Sequence, residues 1–368
     1  MFDETRASFP VNPHTITGFA CPNCRDGLAV DGRDLCCLSC GRTWNTGAGI
    51  LDFAAKEYYW NQIPREDMRR LLDIARDVSY EDALREVLLP LTNEYTCGYA
   101  TDESRGDFKI LLPIAGDSFV LDVGCGWGAV AISLARSCGR LVAADTTLET
   151  LEFLKIRAEQ EGVDNITLIR IDPLDFANLP FLDASVDTVV MNGVLEWVGN
   201  ARQDIPPRSV QLACLREMKR LIAPGGCLYI GIENRYGYRY FGGFRDHSGL
   251  PFTSLVPRVL AGLVMRMLRG RGYRTYTYTY SGYKSLLREA GFSHISFYHP
   301  IPTYRNPDYL MPLEQRNAIK YYVKHLMSVP DSPSVKRKAL KKVIKFVLPV
   351  IPFKYLAFSY SIVAKVTV

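Results

Sequence analysis

Two cysteine pairs near the N-terminus have the spacing of a metal site. Cys21 and Cys24 form one C-x2-C pair, and Cys37 and Cys40 form a second pair after twelve intervening residues. Two such pairs offer four thiolates to one ion, and four thiolates in a tetrahedron are usual ligands of structural Zn²⁺. A closed site of this kind leaves no position for water, so we expect the metal to stabilise this short segment without catalysing a reaction. Cys36, the extra cysteine, is not expected to be a ligand.

A glycine-rich loop follows an apolar segment and forms the second candidate site. The loop comprises Asp122, Gly124, Cys125, Gly126 and Gly128. Its glycines let the backbone turn sharply and lie against a ligand without obstruction by a Cβ atom. The same spacing also satisfies the dinucleotide fingerprint, in which a helix N-terminus holds a pyrophosphate. The loop by itself therefore leaves the ligand open.

Polar residues end the next three predicted strands. Asp145 follows residues 141–144, Asp172 follows residues 166–171, and Asn192 follows residues 186–191. A carboxylate at Asp145 can accept hydrogen bonds from both hydroxyls of a ribose, and Asp172 is placed to meet an adenine amino group. Ligands of open α/β sheets bind outside the carboxyl ends of the strands, so these side chains should meet the glycine loop.

Taken together, these motifs resemble the class I S-adenosylmethionine-dependent methyltransferase family, over about residues 105–235 well and the remainder loosely. The resemblance implies a doubly wound α/β fold with a seven-stranded sheet and an antiparallel terminal hairpin. It also implies that the loop lies against the methionine part of the cofactor, that Asp145 binds ribose and that Asp172 binds adenine. Asn192 would face the methionine amino group and the transferred methyl. Cys125 and Thr146, which adjoin these positions, complete the expected cofactor site.

The cysteine-containing segment, about residues 19–54, resembles the zinc ribbon of tRNA-methyltransferase activator subunits. Similar modules precede the catalytic domain in several bacterial methyltransferases. We therefore predict a zinc ribbon over residues 1–55, a helical linker or cap over 56–104, and a methyltransferase domain over 105–368. Acceptor-side insertions are expected at about 234–280 and 300–354.

The segment after the fifth predicted strand is dense in titratable and aromatic residues and should meet the methyl acceptor. His247 is the predicted general base, because an imidazole titrates near neutral pH, and Asp246 or Glu233 would orient it. Two alternatives remain: His247 is structural, or no base is needed because the sulfonium donor is already reactive. Residues 250–271 form a predicted basic amphipathic helix that serves as a lid over the acceptor or packs on the core.

The charge of the chain, formally +5 over 368 residues, is unevenly spread. Seven Lys or Arg and no acid lie between Asp246 and Glu289, and eight and no acid lie in residues 332–368. This pattern predicts two local positive surfaces instead of a nucleic-acid binder that is basic throughout. Residues 336–348 could touch an anionic membrane or a phosphate-bearing acceptor, or form a solvated helix.

The acceptor class is the least determined feature. We expect methylation of oxygen or nitrogen on a small-molecule, glycan or lipid-linked acceptor, with RNA bases as the alternative. The zinc ribbon and the basic segments favour RNA, but Asn192 is followed by Gly-Val-Leu instead of the Pro-Pro-aromatic sequence typical of amino-group nucleic-acid enzymes. The sequence has neither a long apolar run nor a signal peptide, which predicts a cytoplasmic protein, free or peripheral at the inner membrane face.

Overall fold

The structure is a computed structural model that describes residues 16–32, 34–328 and 352–367. The basic segment 336–348 lies outside these residues, so its predicted membrane or phosphate contact stays a prediction. Among the described helices, none combines the length and the apolar composition that crossing a bilayer requires.

A small antiparallel sheet follows the first cysteine pair. Its strands run in the order β1-β2-β3, and their bounds are Leu28–Asp31, Asp34–Cys37 and Thr43–Asn45. Leu35 stands opposite Trp44 and is fully buried. Its burial in the main core, together with Phe19 and Phe53, fixes this small sheet against the large domain.

A nine-stranded mixed sheet forms the centre of the molecule, in the order β11-β10-β12-β9-β8-β5-β6-β7-β4. In chain order the strands are Ile50–Asp52 (β4), Phe119–Val123 (β5), Arg140–Asp145 (β6), Ile166–Arg170 (β7), Val186–Asn192 (β8), Ile222–Glu233 (β9), His294–Ile301 (β10), Tyr309–Pro312 (β11) and Ser359–Lys365 (β12). Strands β4 to β9 pair in parallel, whereas β12 is antiparallel to both β9 and β10.

The sheet differs from the predicted seven-stranded one with a terminal hairpin. The seven predicted strands correspond to β5 to β10 and β12, and β4 and β11 extend the sheet at its two edges. Strands β10 and β12 pair along their length, but β11 and a helix lie between them in the chain, so no tight turn joins them. The short strand β4 is defined by its pairing with Leu168 to Arg170, a long-range contact that local sequence does not reveal.

The central strands are buried because helices cover both faces of the sheet. Val120, Leu121, Val189 and Ile230 have no exposed surface. Parallel strands buried on both faces need nearly continuous apolar sequence, and the runs around Leu121 and Val189 have this character. The sheet therefore holds its carboxyl edge rigid for the loops that line the site.

Helices flank the sheet and extend over one end of it. Their bounds are Arg65–Asp77 (α1), Tyr80–Ala83 (α2), Leu89–Leu91 (α3), Glu94–Thr101 (α4), Ala129–Ala135 (α5), Leu148–Gln160 (α6), Pro207–Leu221 (α7), Tyr238–Phe241 (α8), Arg258–Arg269 (α9), Tyr280–Glu289 (α10) and Arg316–Ser328 (α11). A π-helical turn, Leu84–Leu88, and a 3₁₀ stretch, Glu103–Leu111, connect the early helices.

The segment between the ribbon and β5 is fixed over the loop that follows β6. The hydroxyl of Thr147 accepts a hydrogen bond from the backbone N–H of Trp60 and donates one to its carbonyl, each at 3.2 Å. The indole N–H of Trp127 donates to Gln62 Oε1 at 2.8 Å. Residues 60–62 are thus held beside the glycine loop.

The small sheet and its cysteine turns dock against the large domain. The backbone N–H of Ala20 donates to the Pro180 carbonyl at 3.1 Å, and the rings of Phe19 and Phe181 lie 4.8 Å apart. Arg25 reaches the buried Glu217 of α7 at 3.5 Å. The predicted domain boundaries at residues 55 and 104 stay predictions, but β4, which precedes the first of them, belongs to the large sheet.

Candidate active site

A cavity of about 340 Å³ opens at the carboxyl ends of β5, β6 and β8. Its walls come from residues 58–62, the segment around α4, the glycine loop, the segments after β6, β7 and β8, and the insertions after β9 and β10. Of the residues predicted to bind the cofactor, seven line this cavity: Asp122, Gly124, Cys125, Gly126, Asp145, Thr146 and Asn192. This is the edge at which open α/β sheets bind their ligands.

The glycine loop lies against the cavity in a backbone conformation that favours glycine. Gly124, Gly126 and Gly128 have φ values of +74°, +50° and +86°. A Cβ atom at Gly128 would stand 2.2 Å from the Leu154 side chain, so this glycine is required by packing against α6. A Cβ atom at Gly126 would meet no described atom within 4 Å, so the space beside Gly126 is available to a ligand.

Two buried carboxylates flank the loop. Asp145 accepts hydrogen bonds from the backbone N–H groups of Gly126 and Thr147, each at 2.9 Å, and burial raises its pKa. Asp122 is 2% exposed, and its Oδ2 has no partner among the described residues. Burial, reinforced by the charge of Asp145, raises the pKa of Asp122 to about 7, although Arg105 opposes the shift.

Asn192, at the end of β8, has a buried side-chain amide that lines the cavity. Neither its Nδ2 nor its Oδ1 has a hydrogen-bond partner within the described chain. A buried donor or acceptor without a partner costs about 1–3 kcal/mol, so such groups usually await a ligand. The unpaired atoms of Asn192 and Asp122, next to the open space at Gly126, fit an S-adenosylmethionine molecule with its charged amino-acid end at this point.

Two of the predicted cofactor residues lie outside the lining. Asp172 uses its carboxylate to accept from the backbone N–H groups of Leu174, at 2.8 Å, and Ala55, at 3.2 Å, while its neighbours Ile171 and Pro173 line the cavity. Gly128 faces α6, as described above. A role of Asp172 in adenine binding stays a prediction.

Glu196 and His247 line the acceptor side of the cavity, and Glu233, which is not part of the lining, lies next to both. His247 Nε2 lies 3.2 Å from Glu233 Oε2 and 3.7 Å from Glu196 Oε1. Glu233, the last residue of β9, also accepts a hydrogen bond from the Tyr304 hydroxyl at 3.2 Å, and Arg305 is 3.5 Å away. Glu196 is fully buried, and neither of its carboxylate oxygens has a hydrogen-bond partner among the described residues.

The charges of this cluster determine its protonation. Desolvation opposes a protonated imidazole, but the charge and hydrogen bond of Glu233, together with the charge of Glu196, raise the pKa of His247 to about 9. Desolvation also disfavours a charged Glu233, yet His247 and Arg305 outweigh it and lower the pKa of Glu233. Burial and the neighbouring Glu233 raise the pKa of Glu196 to about 7. Glu233 and His247 thus form an ion pair at neutral pH, with Glu196 near its midpoint.

Asp246 was predicted to orient His247, but its carboxylate hydrogen-bonds to other residues of the same insertion. Its Oδ1 accepts from the Ser248 backbone N–H at 2.8 Å and the Thr253 hydroxyl at 2.9 Å, and its Oδ2 accepts from the Tyr273 hydroxyl at 3.1 Å. These bonds shape the loop that carries His247. The second predicted partner, Glu233, is the one that contacts the imidazole.

Aromatic rings close the acceptor side. The rings of Trp60 and Trp197 are 5.1 Å apart, and Trp197 meets His247 edge to face at 4.9 Å. Trp60 and Tyr58 both line the cavity. The predicted lid, which includes α9, contributes no described residue to the lining.

Several cavity residues were not selected from the sequence: Arg105, Glu196, Trp197, Tyr304 and Arg305. Glu196 and Trp197 belong to the segment that follows β8, and their position at the carboxyl end of a strand was the available signal. Tyr304 and Arg305 lie in the loop after β10. Arg105 fixes this loop, because its side chain donates to the carbonyls of Arg305 and Tyr99.

The four predicted zinc ligands come together in the N-terminal segment. Their sulfur atoms all lie within 4.8 Å of one another, with 3.7 Å between Cys21 and Cys40 and 3.4 Å between Cys24 and Cys37. Zinc–sulfur bonds of about 2.3 Å in a tetrahedron require sulfurs roughly 3.8 Å apart, so the cluster has suitable dimensions for this metal. The Cys40 backbone N–H, 3.4 Å from Cys37 Sγ, lowers the pKa of Cys37 to about 6. Cys36 Sγ instead approaches the Cys37 carbonyl.

Comparison with known proteins gives a family match for the centre of the chain. Residues 121–230 match the model of a methyltransferase domain. This segment begins in β5 and ends in β9, so it contains the glycine loop, Asp145 and the loop after β8.

Individual relatives match the same region. A tRNA 5-carboxymethoxyuridine methyltransferase of Escherichia coli (strain K12) is 33% identical over 119 residues, which cover 32% of this chain and 41% of the relative. The methyltransferase GfsG of Streptomyces halstedii is 33% identical over 32% of this chain and 39% of its own length. A ubiquinone biosynthesis O-methyltransferase of Paracidovorax citrulli (strain AAC00-1) is 32% identical over 34% and 47%.

One solved structure aligns with this chain at a low TM-score. A phosphoethanolamine N-methyltransferase 2 of Haemonchus contortus, solved with S-adenosylhomocysteine, aligns at a TM-score of 0.42 with 14% identity, over 81% of this chain and 60% of that chain. This TM-score is too low to support a comparison of sites. The match to the three relatives spans less than half of the length of each. What the comparisons identify is a methyltransferase domain within this chain, over residues 121–230.

Proposed function

We propose that this protein is an enzyme that transfers a methyl group from S-adenosylmethionine to an oxygen or nitrogen of a small-molecule, glycan or lipid-linked acceptor. One observation carries the proposal: a single cavity joins the glycine loop and its unpaired polar atoms to the Glu196, Glu233 and His247 cluster. The donor and the acceptor would meet inside it.

The donor half of the cavity has the polar groups that the cofactor needs. Asp145 can accept from the ribose hydroxyls with the lone pairs that its backbone hydrogen bonds leave free. Asp122 and Asn192 provide an unpaired carboxylate oxygen and an unpaired amide for the methionine amino group. Gly126 leaves space for close approach of the ligand to the backbone. Cys125 and Thr146 line the same wall.

The bound cofactor would supply an electrophilic methyl on a positively charged sulfur, and attack by the acceptor is an in-line displacement. The residues of this chain contribute position and proton handling. Trp60 and Trp197 flank the acceptor side, which restricts the approach of the nucleophile. Glu233 holds His247 through its 3.2 Å contact and stabilises the imidazolium.

Two groups are candidates for the general base. His247 must lose its proton before it can act, and its raised pKa of about 9 makes the protonated form dominant at neutral pH. Glu196 has unpaired oxygens, and burial and Glu233 raise its pKa to about 7, which brings its titration close to neutral pH. We therefore infer that Glu196 accepts the acceptor proton while His247 and Glu233 fix the local charge.

Titration calorimetry with S-adenosylmethionine, S-adenosylhomocysteine and NAD tests the cofactor. The proposal predicts binding of the first two and none of NAD, and Asp145→Ala should weaken the binding at least tenfold. Asp175→Ala serves as the control, because Asp175 is an exposed acid of a later loop. No binding of either sulfur compound to the folded protein would overturn the assignment.

Methylation of RNA is the second candidate. It is supported by the first relative described above, whose name specifies tRNA, and by the basic stretches of the sequence. An acceptor screen with S-adenosylmethionine labelled on its methyl group separates the two. Label in tRNA or rRNA, with binding that weakens steeply with salt, would favour RNA, whereas label in extractable small molecules or lipids would favour the first proposal.

We further propose that Cys21, Cys24, Cys37 and Cys40 hold one structural zinc ion. The support is the compact arrangement of their sulfur atoms. The cysteine cluster lies outside the described lining of the cavity, so the metal would support the docking of the ribbon and take no part in methyl transfer.

A further inference from the structure

Helix α9, Arg258–Arg269, presents a wide apolar face that the described parts of the chain leave open. Only Ala261 and Met265 are buried in this helix. Six aliphatic residues are exposed: Val259 (76%), Leu260 (52%), Leu263 (49%), Val264 (39%), Met267 (84%) and Leu268 (62%). Single exposed apolar residues are ordinary on protein surfaces, but six on one short helix form a contiguous patch that marks an interaction site.

The spacing puts these six side chains on one side of the helix. Residues 259, 263 and 267 form one row at four-residue intervals, and residues 260, 264 and 268 form the next. At about 100° per residue, Arg266 borders one edge of this face, whereas Arg258 and Arg269 fall nearer the side of the helix that carries the buried Met265. A broad apolar face bordered by arginines is the arrangement of helices that lie in the plane of a membrane surface.

We propose that α9 docks this protein onto an anionic lipid surface. Charge complementarity selects this occupant: Arg266, Arg269 and Arg271 are exposed in or just after α9, and residues 247–288 contain no acid. Negative lipid headgroups attract such a segment, at about 1 kcal/mol for each basic residue near the surface. The aliphatic face then enters the boundary between headgroups and acyl chains, while the long side chains of these exposed arginines reach headgroup level.

The helix is fixed on the domain with this face outward. Arg235 donates to the carbonyls of Ser254, at 3.0 Å, and Val256, at 2.9 Å, just before the helix begins. Arg258 donates to the Thr277 carbonyl at 2.9 Å, and its guanidinium lies 4.0 Å from the centre of the Tyr276 ring. Because these bonds hold the N-terminal end of α9, the exposed face is a fixed feature of the surface.

The insertion that carries α9 has further apolar residues at the surface. Phe241, Phe244 and Phe252 are each about half exposed. The guanidinium of Arg269 lies beside Gly249, which places the end of α9 next to the loop that precedes it. Aromatic side chains are favoured at membrane interfaces, so these residues suit the same surface.

Nucleic acid fits this face less well than lipid. Contacts to nucleic acid are dominated by hydrogen bonds to phosphates and by stacking on bases. The arginines of α9 could supply the first, but six aliphatic side chains would remain exposed beside a charged backbone. Insertion into lipid buries the aliphatic residues and pairs the arginines at the same time.

Co-sedimentation of the full-length protein with vesicles tests the proposal. The two vesicle types are phosphatidylcholine alone and phosphatidylcholine mixed with phosphatidylglycerol. The wild-type protein should bind the mixed vesicles and bind the neutral ones weakly. The double variant Leu263→Asp/Met267→Asp should need at least about tenfold more lipid for half-binding, because charges replace two exposed side chains that would enter the lipid. Arg266→Gln/Arg269→Gln should lose affinity for the mixed vesicles only.

The matched control is Ile110→Asp, since Ile110 is 78% exposed in the 3₁₀ stretch and far from α9 in sequence. This control should bind vesicles as the wild type does. A second pair, Val259→Ser/Leu260→Ser, repeats the α9 test if the aspartates destabilise the helix. Thermal melting of every variant checks its folding independently of methyl transfer.

Three results would overturn the proposal. The first is unchanged vesicle binding by both α9 pairs. The second is loss of binding only when Lys341 and Lys342 of the basic segment are replaced. The third is a dimer, measured by light scattering, that the α9 variants convert to monomers, since the face would then contact a second copy. The readout needs neither cofactor nor acceptor, so it is independent of the proposed methyl transfer.

Discussion

A substitution at Gly126 tests two properties of the glycine loop: its left-handed backbone conformation and its contact with the cofactor. We expect Gly126→Ala to weaken S-adenosylmethionine binding at least tenfold, because the new methyl would occupy space that the cofactor needs. Adopting φ = +50° with a Cβ atom should also cost about 1–2 kcal/mol of stability. Calorimetry measures the affinity, and chemical denaturation measures the free energy of unfolding.

Gly162→Ala is the control for strain alone. Gly162 has φ = +66°, and a Cβ atom there would also meet nothing within 4 Å, but Gly162 does not line the cavity. It should lose a similar amount of stability with no change in cofactor affinity. Equal affinities of the two variants would show that the loop does not contact the cofactor at Gly126.

The protonation of His247 is a second test at the level of residues. The imidazole should titrate with a midpoint near pH 9, since Glu233 and Glu196 stabilise its charged form against desolvation. Glu233→Gln removes the nearer carboxylate and should lower this midpoint by more than Glu196→Gln does. NMR of the ring protons measures each midpoint, and the loss of one signal in His247→Asn assigns it among the five histidines of the chain.

The raised pKa values of Glu196 and His247 determine how the activity should depend on pH. A general base must be deprotonated, so kcat/KM should rise with pH through about 7 if Glu196 is the base, and through about 9 if His247 is. Glu196→Gln should remove the lower step and reduce the rate by about 10²–10⁴-fold. A profile that rises near 9 in both the wild type and this variant would return the role to His247.

The cluster of Glu196, Glu233 and His247 also shows which site residues could be predicted from the sequence and which could not. His247 and Glu233 could be selected because they follow the fifth strand, where an acceptor site is expected. Asp246 adjoins His247 in sequence, yet its side chain faces Thr253 and Tyr273. Glu196 reaches the cluster only through the pairing of β8 with β9, which local sequence does not encode.

At the scale of elements, the proposed zinc site gives a prediction that can be tested independently of methyl transfer. The purified chain should contain one zinc ion, and Cys40→Ser should remove most of it, because three thiolates cannot complete the tetrahedron. The variant should also melt at a lower temperature, since the metal supplies much of the folding free energy of so short a segment. Elemental analysis and thermal melting measure the two effects.

Cys36→Ser is the matched control for this test. Cys36 belongs to the same strand as Cys37, but its sulfur points to a backbone carbonyl. Its replacement should leave the zinc content unchanged. Full zinc content in Cys40→Ser, or zinc loss in Cys36→Ser, would contradict the proposed ligand set.

The central strands of the large sheet could be predicted from the sequence, whereas its two edge strands, β4 and β11, could not. Largely apolar runs such as residues 119–123, in which Asp122 is the one polar residue, identify buried parallel strands, and the glycine turn after this run marks the ligand side. Strand β4 has three residues, and its place beside β7 depends on how the ribbon docks. The exposure of the apolar face of α9 could not be predicted either. An amphipathic pattern shows that one side of a helix is apolar, but it does not show what that side contacts.

At the scale of the whole molecule, the cavity joins segments that are distant in the chain. Trp60, Arg105, Asp145, Glu196 and Arg305 line one space, although 245 positions separate the first from the last. A ligand in this space would bridge the helical segment, the sheet and the two insertions. Binding should therefore stabilise all of them together, and not the glycine loop alone.

Hydrogen exchange and thermal melting with S-adenosylhomocysteine test this coupling. At a concentration one hundred times its Kd, a ligand that binds only the folded state adds about 2.7 kcal/mol, which should raise the melting temperature by several degrees. Exchange should slow in residues 58–62, 95–105, 124–128 and 192–201, which supply cavity walls. Strand β1, Leu28–Asp31, is the internal reference, since it lies in the small N-terminal sheet outside the cavity lining and should be unchanged. Protection restricted to 124–128 would mean that the donor site forms without the acceptor side, and that the two halves do not act as one cavity.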